Sequence, residues 1–162
     1  MPVGWAGETV RAFSGTDRAC VCFPDALTWG RLLPGREPGD LAPDEDFAPC
    51  SMNGAAFVLT KEAIERVGLF DEGYQLCFED WDMWVRLLKV YGPDRIGTYL
   101  PVFIDHKRSA TIGHLPDRQA RVDASRSYFW EKWQGQEALV DWFKIVNDAP
   151  LGTPRPEIRD IQ

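Results

Sequence analysis

The segment 53–88 constrains the fold of this 162-residue chain more than any other part of its sequence. It opens with a short apolar run, 55–59, between a turn signal at Asn53-Gly54 and Thr60, a favourable helix N-cap residue. A short apolar run in this setting is typical of a buried strand. The helical spacing of apolar residues over 61–67 then predicts a short helix packed on that strand.

Two adjacent carboxylates, Glu79 and Asp80, precede a second amphipathic helix in the same segment. The apolar residues that recur there at helical spacing are Trp81, Trp84, Val85 and Leu88. Carboxylates are favoured at such a position because the N-terminal end of a helix carries a partial positive charge. One interpretation is that Asp80 is only a helix N-cap, and the other is that it is a reactive carboxylate at the edge of a pocket.

The motifs of this region occur in a recognisable order. They are Gly54-Ala55-Ala56, Gly68-Leu69-Phe70-Asp71-Glu72, Glu79-Asp80-Trp81-Asp82 and then Arg86. Together they resemble the second half of the family 2 glycosyltransferases, which have the GT-A fold. The resemblance covers roughly residues 19–135 and includes the aromatic stretch 128–133. It implies an α/β fold, a partial GT-A-like (Rossmann-like) mixed sheet flanked by helices, without the N-terminal nucleotide-binding half.

The resemblance assigns chemistry to the carboxylates. In glycosyl transfer a base takes the proton of the acceptor hydroxyl as the new bond forms. Asp80 is expected to be that base, with Glu79 beside it, and Gly54 is expected to contact substrate. Asp82 and Arg86 lie four residues apart on a helix, and we interpret them as a structural ion pair.

Trp81 and Trp84 are expected substrate contacts with different positions on the helix. Three residues advance about 300°, so the two rings do not share one face. One ring is then expected to stack on an acceptor sugar while the other fills the core. The alternative is that both rings belong to the core.

His106 follows a predicted strand and precedes a group of cations and hydroxyls. Similar enzymes carry a histidine here that helps to hold the divalent ion, Mn or Mg, of the bound nucleotide diphosphate. The residues expected to contact phosphate oxygens are Arg108, Ser109 and Thr111. The alternative is that His106 is an ordinary surface residue.

The donor-binding part of such enzymes is missing from this sequence. That part ends in a strand followed by D-x-D, whose carboxylates reach the metal. Asp44-Glu45-Asp46 has this spacing but lies in a Pro-rich loop with no apolar strand before it, and Asp25 stands alone. We reject both, and a divalent ion is therefore expected only with a complete donor site.

The remaining pattern predicts the other elements of one domain, 1–147, followed by a Pro-containing tail, 148–162. Strands are expected at 19–23, 55–59 and 96–104, and helices at 8–13, 61–67, 81–90, 116–133 and 137–146, with a loop over 30–50. Of these strands, the first or the second is expected to lie against strands of the missing half.

Composition excludes several classes of protein. The formal net charge is −7 and no basic stripe is visible, so nucleic acid is not an expected partner. No apolar run reaches the ~18–20 residues needed to span a bilayer, and no signal peptide is evident, which predicts a cytoplasmic protein. The four cysteines match no common zinc spacing and are expected to be reduced.

Two hypotheses of function follow. In the first, the chain supplies the acceptor site and base for sugar transfer from a nucleotide-sugar donor to a glycan or other hydroxyl acceptor. Its donor half is then expected on another chain, and without it an exposed sheet edge is expected to pair with a partner or to self-associate. In the second, the chain is a non-catalytic glycan- or protein-binding module derived from a truncated glycosyltransferase.

Overall fold

A computed structural model describes residues 4–107 and 114–157 of the chain. The strands in this part are β1 (Cys20–Cys22), β2 (Phe47–Pro49), β3 (Phe57–Leu59) and β4 (Ile96–Tyr99). The α-helices are α1 (Trp5–Phe13), α2 (Ala26–Leu32), α3 (Lys61–Val67), α4 (Glu79–Tyr91), α5 (Arg118–Lys132) and α6 (Glu137–Asn147), with a 3-10 turn at Pro93–Arg95.

The strands form one mixed sheet in the order β2-β4-β1-β3. β1 runs parallel to β4 and antiparallel to β3, and β2 runs antiparallel to β4. The α/β class, with a mixed sheet flanked by helices, is therefore confirmed, and the arrangement is compatible with a Rossmann-like fold.

The central strand β1 is buried on both faces, as its uninterrupted apolar sequence requires. Cys20 and Cys22 pack into the larger core with residues of α4, α5 and α6. Val21 points to the opposite face, where α1 contributes Ala12 to a smaller core. The helices that carry the candidate site thus share a core with the middle of the sheet.

The sequence predicts that either the first or the second strand lies against strands of a missing half, and the structure rules out the first of them, β1. β1 has a hydrogen-bonded neighbour on each side, so β2 and β3 are the two edges of this sheet. β3 corresponds to the strand predicted at 55–59. One of its edges has no partner strand within the described residues.

The predicted loop over 30–50 contains structure that the sequence pattern hid. α2 extends into it, and Asp25 caps this helix by accepting a hydrogen bond from the Thr28 backbone N–H at 2.9 Å. β2 also lies in this region, and its Pro49 is tolerated because β2 is an edge strand. The predicted strand 96–104 is shorter than expected and ends at Tyr99.

Arginines hold the acidic residues of the same loop. Arg36 donates to both carboxylate oxygens of Glu45 at 2.7 and 3.0 Å, and this contact lowers the pKa of Glu45 to about 2. Arg18 forms an ion pair with Asp46 at 3.2 Å. Two carboxylates of the D-x-D-like triplet are therefore engaged in ion pairs within the chain.

In the part of the chain that the structure describes, every helix is too short or too polar to cross a membrane. All four cysteines are free thiols, and all except the half-buried Cys77 are buried.

Candidate functional site

An unusual turn leads into α4. Cys77 and Phe78 have φ values of 62° and 69°, a left-handed conformation that few non-glycine residues adopt. Phe78 is the N-cap residue and supplies no side-chain hydrogen bond. Such backbone outliers tend to cluster at binding sites and active sites.

Asp80 lies in the first turn of α4 rather than at the N-cap. Its Oδ1 accepts a hydrogen bond from the Trp81 backbone N–H at 2.8 Å. The interpretation of Asp80 as the N-cap residue is thus wrong, because Phe78 holds that position. The Asp80 carboxylate does, however, contact a backbone donor of the first turn.

The structure brings Asp80 and Gly54 together, as expected for two residues of one site. Oδ2 of Asp80 lies so close to Gly54 that a Cβ added at Gly54 would overlap it. Asn53 fixes this loop by donating to the Phe23 carbonyl oxygen at 2.8 Å and accepting from the Ala55 N–H at 3.0 Å. Only glycine therefore allows the carboxylate to occupy this position.

The surroundings of Asp80 favour the protonated carboxyl. Burial raises its pKa above the ordinary value, and the neighbouring Glu79 carboxylate adds to this effect. The hydrogen bond from the Trp81 N–H opposes it. A half-buried carboxylate with a raised pKa is a better proton acceptor than a solvated one.

Asp80 and Trp81 line two neighbouring cavities. We call the first, of about 440 Å³, the aromatic cavity; it is lined by Cys77, Phe78, Asp80, Trp81, Arg126, Phe129, Trp130, Val140 and Lys144. We call the second, of about 510 Å³, the polar cavity; it is lined by Leu27, Thr28, Arg31, Met52, Asn53, Gly54, Asp80, Trp81, Trp84, Asn147 and Asp148. Asp80 can therefore contact a ligand in either space.

The two tryptophans of α4 have different environments. Trp84 is 2% exposed, packs edge-on against Phe57 with ring centroids 4.8 Å apart, and belongs to the core, although it also borders the polar cavity. Trp81 is half-buried and packs edge-on against Phe143 at 5.5 Å. Trp81 is thus the better placed of the two for stacking on a ligand.

Asp82 is fully buried and stabilises the helix that carries Asp80. Its carboxylate contacts Arg86 Nε at 2.9 Å, Lys132 Nζ at 2.8 Å and Trp133 Nε1 at 3.1 Å. The interpretation of Asp82 and Arg86 as a structural pair agrees with this geometry. Sequence reasoning missed the two partners from α5 and its C-cap, since only the aromatic pattern of 128–133 was noted there.

Asp71 joins the loop after α3 to the same network. Its Oδ2 accepts from Lys132 Nζ at 2.6 Å and from the Tyr128 hydroxyl at 3.1 Å, and its Oδ1 accepts from the Gly73 N–H at 2.8 Å. Arg86 also donates to the Leu69 carbonyl oxygen at 3.0 Å. The G-x-F-D-E motif therefore has a clear structural task, which is to anchor this loop to α4 and α5.

The Asp71 contacts predict a pH-dependent stability. Lys132, with the Gly73 N–H, lowers the folded-state pKa of Asp71 to about 2, below its unfolded value near 4. A lowered folded pKa stabilises the fold fully above the unfolded pKa, and this contribution is lost as the pH falls through the folded pKa. Asp71→Asn is expected to lower Tm at pH 7, and the difference from wild type should shrink between pH 4 and 2. A Tm difference that stays constant over this range in thermal melts would contradict the ion-pair explanation.

Gly54→Ala is expected to change the titration of Asp80. The new Cβ displaces the flexible carboxylate, so the pKa of Asp80 should fall towards its ordinary value while the fold is retained. Carboxyl NMR titration measures this pKa. Gly30→Ala in α2 is the matched control, because a Cβ there meets no atom within 4 Å. An unchanged Asp80 titration in Gly54→Ala would show that the close contact does not control this carboxyl.

His106 is exposed in the segment after β4. Arg108, Ser109 and Thr111 lie outside the described residues. Within residues 4–107 and 114–157, no three or more His, Cys, Asp or Glu side chains form a group that could hold a metal ion. The described residues therefore do not by themselves fit the divalent-ion site that the resemblance implies.

The sequence predicts Asp80 and Trp81 as site residues but not the other side chains that line the aromatic cavity, among them Arg126 and Trp130 from α5 and Lys144 from α6. Their helices were predicted, but the packing that turns them towards Asp80 has no local sequence signal. Comparisons with models of protein families, with curated proteins and with solved structures found no match to this chain.

Proposed function

We propose that this chain is the acceptor-binding part of a glycosyltransferase and supplies the catalytic base. The observation that carries the proposal is the Asp80 carboxylate, half-buried between the aromatic cavity and the polar cavity. The aromatic cavity has mainly apolar walls and few polar groups, which is typical of small-molecule sites of this size. The resemblance of the E-D-x-D segment to family 2 glycosyltransferases supports the same function.

The aromatic cavity suits a sugar acceptor. The ring of Trp81 offers an apolar surface beside a carboxylate, so a sugar can pack its C–H face on the ring and direct a hydroxyl to Asp80. As the hydroxyl oxygen attacks the anomeric carbon of the donor, its proton passes to the Asp80 carboxylate. The bond from that carbon to the nucleotide diphosphate breaks, and the diphosphate leaves with the bonding electrons. Glu79 is proposed to tune Asp80 through its adjacent charge.

The donor side of the reaction is proposed to require another polypeptide. The nucleotide sugar and its divalent ion, Mn or Mg, belong to that complete site, and the roles of His106, Arg108, Ser109 and Thr111 stay predictions. No step of the proton transfer described above depends on them.

The edge strand β3 is the proposed contact with a donor-half protein, or with a second copy of the chain. Exposed apolar side chains lie near it: Leu69 is 74% exposed, and Phe70, 41% exposed, packs on Phe57 of β3 with ring centroids 5.8 Å apart. Unpaired strand edges beside apolar surface favour association.

Association through this edge is expected to be measurable. The chain should exceed the monomer mass in light scattering at micromolar concentration, or should capture a partner from its native source. Leu69→Ser should weaken this association, whereas Val10→Ser on α1, an equally simple loss of an exposed apolar side chain, should not. A stable monomer without a partner would contradict the split-enzyme proposal.

The second candidate function is a glycan-binding module without catalysis. The observation in its favour is that α4, α5, α6 and the turn before α4 supply the residues that line the aromatic cavity, so these elements can hold a sugar without any donor half.

Both candidate functions require the chain to bind a sugar, so binding of oligosaccharides tests the two together. Titration followed by NMR should shift the indole N–H signal of Trp81. The signal of Trp29 is the internal control, because this residue is buried and its indole N–H is bonded to the Arg36 carbonyl oxygen at 2.7 Å. A Trp81 signal that stays unchanged across a broad panel of neutral and acidic oligosaccharides would count against both functions.

A further inference from the structure

The buried side of the aromatic cavity is apolar, whereas its solvent side carries charged groups. Phe129 and Val140 are each 1% exposed and form its buried side. Arg126, Trp130 and Lys144 are exposed and form its solvent side. A bound ligand therefore meets apolar groups inside and positive charges at the opening.

The two cations at the opening are available to a ligand. Lys144 makes no ion pair with another residue of the described part of the chain. Arg126 contacts Asp123 at 3.0 Å, but both side chains are 51% exposed. Surface pairs of this kind contribute little stability and rearrange easily. The Arg126 guanidinium also lies 6.0 Å from the centre of the Phe78 ring, at the wall of the same cavity.

The polar cavity differs in its charges. There Arg31 is already paired with Asp148 at 3.0 Å and donates to the Ser51 hydroxyl at 3.3 Å, so its charge is offset within the protein. The two cavities beside Asp80 thus favour different ligands, and an anionic group fits the opening of the aromatic cavity better.

We propose that the aromatic cavity binds a hexuronic acid residue, with its ring on Trp81 and Trp130 and its carboxylate at Lys144 and Arg126. In this orientation a hydroxyl at the other end of the sugar reaches Asp80, while the carboxylate stays at the solvent side, away from that charge. The inference rests on the proposed function and specifies its acceptor as an acidic sugar.

The test compares methyl glucuronide with methyl glucoside, which differ only by a carboxylate in place of a hydroxymethyl group. Charge-assisted hydrogen bonds are roughly twice as strong as neutral ones. We therefore expect the glucuronide to bind about tenfold more tightly in NMR titration at low salt, with the preference falling at high salt. Lys144→Gln should bring the two affinities to within about twofold. Arg121→Gln is the matched control on α5, because Arg121 pairs with Asp117 at 2.9 Å and does not line the cavity.

The outcomes separate this inference from the proposed function. Equal affinities for glucoside and glucuronide in the wild type would overturn the uronate assignment and leave a neutral sugar acceptor possible. Glucose 6-phosphate binding more tightly than the glucuronide would also overturn it, in favour of a phosphorylated sugar. If methyl glucuronide, methyl glucoside and glucose 6-phosphate all fail to bind, and neutral oligosaccharides shift no NMR signal, the proposed function is contradicted as well. A glucuronide preference that Lys144→Gln leaves unchanged would place the anion elsewhere and overturn the proposed orientation.

Discussion

Asp80→Asn is expected to lower turnover of the assembled enzyme by a factor on the order of 10²–10⁴, with the fold intact. The amide cannot take the proton of the acceptor hydroxyl, but it has nearly the same shape and its oxygen can still accept from the Trp81 N–H. Steady-state turnover and circular dichroism of the same preparations measure the two effects.

A control variant and an alternative explanation for Asp80 help to interpret this result. Asp17→Asn changes an exposed carboxylate that pairs at the surface with Arg95 and does not line either cavity, and turnover should stay near wild type. If Asp80 acts only through its contact with the helix N-terminus, Asp80→Asn should leave turnover unchanged, and Asp80→Ala should lose about 0.5–2 kcal/mol of stability. Wild-type turnover in Asp80→Asn would show that Asp80 is not the catalytic base.

The largest loss of stability is expected for Asp82→Asn. Asp82 is fully buried, and the change leaves Arg86 and Lys132 beside an uncharged partner. Breaking a buried ion pair from one side costs about 3–5 kcal/mol, and we expect about 3 kcal/mol here because both cations reach solvent. For a chain of this size that corresponds to a fall in Tm of about 6–12 °C.

Chemical denaturation and calorimetry of Asp82→Asn test this value. Asp117→Asn is the control, since Asp117 forms an exposed pair with Arg121 on α5 and should leave Tm nearly unchanged. A loss in Asp82→Asn no larger than in this control would show that the buried network does not stabilise α4.

The local elements of the fold followed from local signals in the sequence. Thr60 accepts from the Ala63 N–H at 3.1 Å, and α3 has the predicted bounds because cap, periodicity and C-terminal glycine agree. β2 was missed because its short Phe-Ala-Pro sequence is set by pairing with β4 rather than by propensity. The position of β1 in the middle of the sheet is likewise a long-range property.

In the candidate site, too, some features follow from the sequence, whereas others depend on long-range packing. Gly54 and Asp80 are both candidate site residues by the resemblance, and in the structure they lie close together. Lys132 as a shared partner of Asp71 and Asp82 could not be predicted, because the two carboxylates and the lysine meet only after α5 packs on α4. The cavity cations Arg126 and Lys144 were hidden for the same reason.

Acceptor-dependent sugar transfer tests the central claim most directly. The chain, together with any protein that it captures from its native source, should be incubated with a panel of nucleotide sugars, divalent ion and glycan acceptors, and the products followed by mass spectrometry. We predict addition of one sugar residue to an acceptor by the wild-type assembly, and its loss with Asp80→Asn. Glycan binding in the aromatic cavity without any transfer from the panel would contradict the enzymatic account and support a binding module.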